Sequence, residues 1–250
     1  MKTKFVFLFL IISISCFSQW EQCPLYGGSV ISLAMDSNYI YAGTFQGGIY
    51  VSADYGQTWQ SRNNGLPKNT NVYSILIRGN DVFIGTNGNI YKSTDHGNNW
   101  FPSSSGIPFQ SGEGVISIIQ KDSLLFISFD SGEFGVYKSI DNGLNWQASN
   151  NGFDSIPMII SIIANDSAVF AGSNKGIYKS IDNGNHWFLS NNGLPNSSYL
   201  TCFSFLIKDS MIFASIRYGE SNINNGVYKS TDGGNYWTIS SNGIPYNSYP

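Results

Sequence analysis

The 250-residue sequence predicts an all-β repeat protein, and three observations carry that expectation. The pattern S-x-D-x-G-x-x-W occurs five times, beginning at Ser52, Ser93, Ser139, Ser180 and Ser230, at steps of 41, 46, 41 and 50 residues. Self-similarity at a period of this size marks an array of supersecondary units. Short apolar runs alternate with Asn-, Asp- and Gly-rich turns over the same span, and no segment shows a helical period.

Each letter of the octet has a physical role at a hairpin tip. The carboxylates Asp54, Asp95, Asp141, Asp182 and Asp232 can accept N–H groups of the residues that follow, closing an Asx-type turn. Gly56, Gly97, Gly143, Gly184 and Gly234 suit the positive φ such a turn requires. The serine hydroxyls can bond across the turn. Trp59, Trp100, Trp146, Trp187 and Trp237 bury an indole where the returning strand meets the sheet, and each indole N–H needs a partner. As a metal loop, Asp141-Asn142-Gly143-Leu144-Asn145 lacks the acidic ligand that closes an EF-hand-like site, so neither metal nor cofactor is expected.

Taken in order, residues 1–18 read as a secretory signal peptide: Lys2 and Lys4, an apolar run from Phe5 to Ile14, then Cys16-Phe17-Ser18 before cleavage near Ser18-Gln19. The run is too short to span a bilayer, so a secreted or cell-surface protein without a membrane span is expected. Trp20-Glu21-Gln22, within residues 19–25, looks like the strand after every later octet, such as Trp59-Gln60-Ser61. It reads as a stray outer strand that completes a last blade. Each repeat then supplies a first strand with a central serine in apolar surroundings, as in Val72-Tyr73-Ser74-Ile75, buried on both faces. A second strand ends in small residues (Val169-Phe170-Ala171-Gly172), a third runs into the octet (Gly176-Ile177-Tyr178-Lys179), and a fourth begins at the tryptophan.

Four antiparallel strands per repeat make a β-propeller blade. Five blades are visible, at about 28–62, 70–103, 113–149, 157–190 and 199–241 of a propeller covering 19–250. Pro250 falls where a next inner strand would start, so the chain is expected to be the front part of a ring of six or more blades. A closed five-bladed ring is the rival.

The octets resemble the Asp-box, or BNR repeat, of sialidases, sortilin-type receptors and xyloglucanase-type glycoside hydrolases. The resemblance implies a propeller whose boxes are structural hairpins away from the ligand face. A sialidase would need an arginine triad. Only Arg62, Arg78 and Arg217 follow the signal, on positions that cannot converge. Xyloglucanases place two carboxylates across a cleft between two propellers, and a second propeller is not in this sequence. A resemblance to photosystem assembly propellers exists at repeat level, but the export signal and low arginine content argue against that role.

Removing the signal leaves 11 basic and 16 acidic residues, a net charge of −5, so nucleic acid is a poor partner. Cys23 and Cys202 remain. Repeat alignment puts Cys202 on an inner strand and Cys23 beside an outer one, roughly 14 Å apart at three strand spacings. That exceeds disulfide reach, so two free, mostly buried thiols are expected. His96 and His186 occupy variable octet positions and read as surface residues; no Ser-His-Asp or Cys-His arrangement can be built from them.

Two second-to-third loops are long, Phe129–Phe134 and Arg217–Asn225, and loops on a rigid scaffold carry function. They nominate Asp130, Glu133, Arg217, Tyr218 and Glu220 as ligand contacts and no catalytic residue. The expectation is a secreted, non-catalytic binding or scaffold propeller recognising a glycan or protein partner. The alternative is the propeller part of a glycoside hydrolase with catalytic residues partly beyond Pro250.

Overall fold

The computed structural model describes residues 28–109, 113–197, 199–219 and 225–244. The expected signal peptide, the stray strand at 19–25, Cys23 and Glu220 lie outside them. Blade 1 consists of β1 (Val30–Met35), β2 (Ile40–Thr44), β3 (Gly48–Ser52) and β4 (Gln60–Ser61). Blade 2 follows with β5 (Val72–Arg78), β6 (Asp81–Thr86), β7 (Asn89–Ser93) and β8 (Phe101–Pro102). Blade 3 holds β9 (Val115–Lys121), β10 (Leu124–Phe129), β11 (Val136–Ser139) and β12 (Gln147–Ala148). Blade 4 holds β13 (Ile159–Ala164), β14 (Val169–Ser173), β15 (Gly176–Ser180) and β16 (Phe188–Leu189). Blade 5 holds β17 (Leu200–Lys208), β18 (Met211–Tyr218), β19 (Gly226–Ser230) and β20 (Thr238–Ile239). Every blade is an antiparallel sheet whose strands lie in chain order, and no helix occurs among the described residues.

The octet folds as its letters dictate. Each serine hydroxyl donates to the aspartate at 2.7–2.8 Å and accepts the glycine N–H at 2.8–2.9 Å. The aspartate also accepts the N–H four residues on, from Thr58, Asn99, Asn145, His186 and Tyr236. The octet glycines have φ between 77° and 87°, and the residue before each is also left-handed, including the side-chain-bearing Tyr55, His96, Asn142 and Asn183.

These bonds hold the carboxylates below their ordinary pKa. Asp54 is brought down to about 2, chiefly by the Thr58 hydroxyl. Asp141 and Asp232 are lowered first by side-chain bonds from Asn145 and Ser230. For Asp95 and Asp182 partial desolvation pushes upward and is outweighed by the donated hydrogen bonds.

The tryptophans tie one blade to the one before it. The Nε1–H groups of Trp100, Trp146, Trp187 and Trp237 donate at 2.7–2.8 Å to the carbonyls of Arg62, Ser103, Ser149 and Ser190 in the preceding blade. These four indoles are at most 3% exposed and lie in four hydrophobic clusters, one between each successive pair of blades. Phe83, Phe126 and Phe170, on second strands, pack against the next blade's octet glycine.

Inner strands come equally close. A register shift lies beside the central serine of each first strand, and in blades 1 and 2 the hydroxyl reaches the next blade, Ser32 donating to the Val72 carbonyl and Ser74 to that of Val115. Gly172 shows the packing this requires: a Cβ there would lie 2.8 Å from the Cys202 carbonyl oxygen and 2.9 Å from its sulfur. Cys202 is a free, buried thiol whose pKa is pushed up by desolvation.

Two expectations are corrected. First strands are not all buried on both faces. The row runs β1, β5, β9, β13, β17, with no comparable packing of β17 on β1, and Leu33, Met35 and Leu206 are 68%, 67% and 61% exposed. The described blades thus form a partial ring with apolar end faces. His96 is not a surface ornament either. Its ring lies 5.0 Å from Tyr39 and its carbonyl accepts Arg62, joining blades 1 and 2.

Trp187→Phe removes a buried donor and leaves the Ser149 carbonyl unpaired, so urea denaturation will show a loss of about 1–3 kcal/mol. Because the octet carboxylates have depressed pKa values, their stabilisation is complete above the ordinary carboxylate value and is lost as pH falls through the lowered ones, about 2 for Asp54. The thermal midpoint, followed by circular dichroism, will fall across that acid window.

Candidate functional site

The loops joining second to third strands share one end of the blades with the starts of the first strands, and the octets occupy the other end. On that rim a bond recurs in blades 1, 3, 4 and 5. The backbone N–H just after the second strand reaches the carbonyl just before the first strand, as in Phe45 to Ser29, Asp130 to Gly114 and Gly219 to Tyr199. Blades 2, 3 and 4 add a side-chain clamp. Asn87, Asp130 and Asn174 accept the N–H groups of Asn71, Gly114 and Met158.

Asp130, nominated as a ligand contact, is therefore the blade 3 copy of this clamp, its Oδ1 held by Gly114 N–H at 2.8 Å. Glu133 is exposed on the same loop. Arg217 and Tyr218 end β18, two blades away, and pair across the sheet with Thr201 and Leu200. The structure does not bring Asp130 and Glu133 together with Arg217.

In blade 5 the clamp position holds Gly219, which has no side chain to reach the start of β17. The Tyr199 N–H turns to the Ser197 hydroxyl instead, at 3.0 Å. A cavity of about 350 Å³ lined by Tyr199, Thr201, Arg217 and Gly219 opens there. Arg217 is exposed and forms no ion pair with any described residue. Tyr218 takes part through its backbone, donating to Asn225 Oδ1 at 2.6 Å. An arginine fork beside a phenol and a hydroxyl can hold a carboxylate or sugar hydroxyls and stack on a ring face. Tyr199 and Thr201 escaped the sequence reading; the legible signal was a glycine where repeats 2 to 4 carry Asn or Asp.

A second, apolar groove of about 400 Å³ lies on the outer face of blade 5, between Leu206, Phe213 and Val227. No group of three or more His, Cys, Asp or Glu residues suited to a metal occurs among the described residues.

Residues 26–111 match the family model described as the DUF6242 beta propeller domain. No curated protein matches the chain. An ancestral GH74 enzyme superposes with a TM-score of 0.72 at 21% identity, over 88% of this chain and 32% of that one. The extracellular domain of BT4673 from B. thetaiotaomicron gives 0.67 at 13% identity, over 90% and 30% of the two chains. YCF48 bound to D1 peptide gives 0.62 at 16%, over 85% and 68%. This chain thus spans about a third of the GH74 and BT4673 chains. With five four-stranded antiparallel sheets around a partial ring, these likenesses identify the fold as a β-propeller.

Proposed function

We propose that the chain is a secreted, non-catalytic binding propeller built from Asp-box repeats, and that the blade 5 rim cavity holds a glycan or protein segment. The observation that carries this reading is Arg217, without an ion pair among the described residues, in the cavity beside Gly219. Its volume falls within the range of small-ligand sites, and its lining mixes polar and apolar surface with a single positive charge at Arg217. Export through residues 1–18 agrees with the low content of charged residues. The peptide held by YCF48 and the extracellular setting of BT4673 support the class of role. A second reading, the propeller part of a glycoside hydrolase, is supported by the GH74 likeness in fold. Asp130, an acid nominated on the loop face, is occupied in closing its own blade, which favours binding over catalysis.

Titration calorimetry against uronate-bearing and neutral soluble polysaccharides and against carboxylate-ended peptides tests the site. Arg217→Ala will weaken binding at least tenfold, about 1.4 kcal/mol. Gly219→Asn, which installs the clamp of blades 2 and 4, will close the cavity with similar loss. Unchanged affinity in both variants overturns the assignment.

A further inference from the structure

The start of β17 is flanked by two cations, one on each of two neighbouring blades. Thr201 pairs with Arg217 across the sheet, and strand alternation puts Tyr199, two residues earlier, on the same side, where all three line the rim cavity. Leu200, between them, points the other way. It is buried against blade 4, where a Cβ on Gly176 would lie 2.7 Å from its Cδ2. Lys175, the residue before Gly176, is exposed in the second-to-third loop of blade 4 and donates from Nζ to the Ser155 hydroxyl. Neither Lys175 nor Arg217 forms an ion pair with a described residue, Asp154 beside Ser155 included.

The chemistry on offer separates the ligand classes. The N–H groups of Tyr199, Tyr218 and Gly219 are already bonded, to Ser197, Asn225 and Tyr199, so the cavity presents side chains and not a ladder for a peptide strand. The Tyr199 ring is 67% exposed and offers a flat apolar face with a phenol at its edge. Such a face suits the C–H side of a pyranose ring. A guanidinium that lacks a partner anion gains most from a carboxylate, which meets its planar fork with two parallel charge-assisted bonds. A neutral sugar leaves that charge uncompensated, and a lone small acid leaves the ring and Lys175 unused.

We propose that this rim binds an acidic polysaccharide through its uronate residues. Arg217 takes one carboxylate, Tyr199 stacks on the sugar that carries it, the Thr201 hydroxyl bonds a ring hydroxyl, and Lys175 meets the carboxylate of a neighbouring sugar. The inference rests on the binding role proposed above and narrows its ligand to one class.

The test is titration calorimetry of the full chain with oligomers of galacturonate, of mannuronate and guluronate, and of glucuronate alternating with an amino sugar, each beside its carboxyl-reduced form. At least one acidic oligomer will bind, and carboxyl reduction will weaken it at least roughly tenfold. Arg217→Gln, which keeps a polar side chain and removes the charge, will weaken the acidic oligomer by a similar factor. Tyr199→Ala will weaken it less, and Tyr199→Phe will leave it close to the parent. Lys175→Gln will make the affinity less sensitive to salt. All three side chains are exposed, so the thermal midpoints of the variants, followed by circular dichroism, will stay at the parent value. Equal binding of acidic and reduced forms overturns the proposal, and so does a failure of every acidic oligomer to bind. If a neutral glycan or a carboxylate-ended peptide then binds in an Arg217-dependent way, the blade 5 cavity stands as the site and only the uronate assignment falls. Acidic binding that survives both Arg217→Gln and Lys175→Gln removes the assignment and the site together.

Discussion

The indole N–H that crosses from one blade to the last organises this protein. Each of Trp100, Trp146, Trp187 and Trp237 places a large ring in the cluster shared with its predecessor, where water cannot serve its nitrogen. The ring must therefore meet a carbonyl at a set place, and the predecessor supplies one three residues after its own tryptophan. The Ser-Asp-Gly turn is the device that aims the ring. Its bonds are local, and its product is a contact across the blade boundary.

From that constraint the rest of the packing follows. Blades joined by such staples approach until inner strands touch: at Gly43, Gly85 and Gly172 a Cβ would strike the next blade's first strand, and blade 3 holds the small, fully buried Ser128 at the same register. In blade 5 the same place is taken by Ser215, whose hydroxyl pairs with Ser204 at 2.9 Å on an exposed face. The construction is one-dimensional, with each blade stabilised by its neighbours. The faces at either end of the row consequently keep the apolar character of an interior.

The rim opposite the octets obeys a different rule. There the chain closes blades 1, 3, 4 and 5 with a backbone bond and blades 2 to 4 with an Asn or Asp side chain. A rigid rim of clamped repeats offers little to a ligand. Replacing the clamp by Gly219 releases Tyr199, opens the space beside Arg217 and converts a structural position into a candidate contact. The difference between scaffold and site is thus one side chain within a repeated bond.

The all-β class, the blade count and the hairpin chemistry were legible in the sequence because they rest on local geometry. Asp, Gly and Ser at fixed offsets close a turn wherever they occur, and alternating apolar runs mark strands. The partner of each tryptophan was not legible, since the expected place for the indole was its own sheet and the actual one is the preceding blade. The same limit moved Asp130 from candidate contact to clamp and left Tyr199 and Thr201 unnoticed beside Arg217. Residue type and spacing determined which turns and strands form. Only the tertiary structure decided which groups face each other across a blade boundary or rim, because that depends on the rigid placement of one sheet against another and not on any offset along the chain.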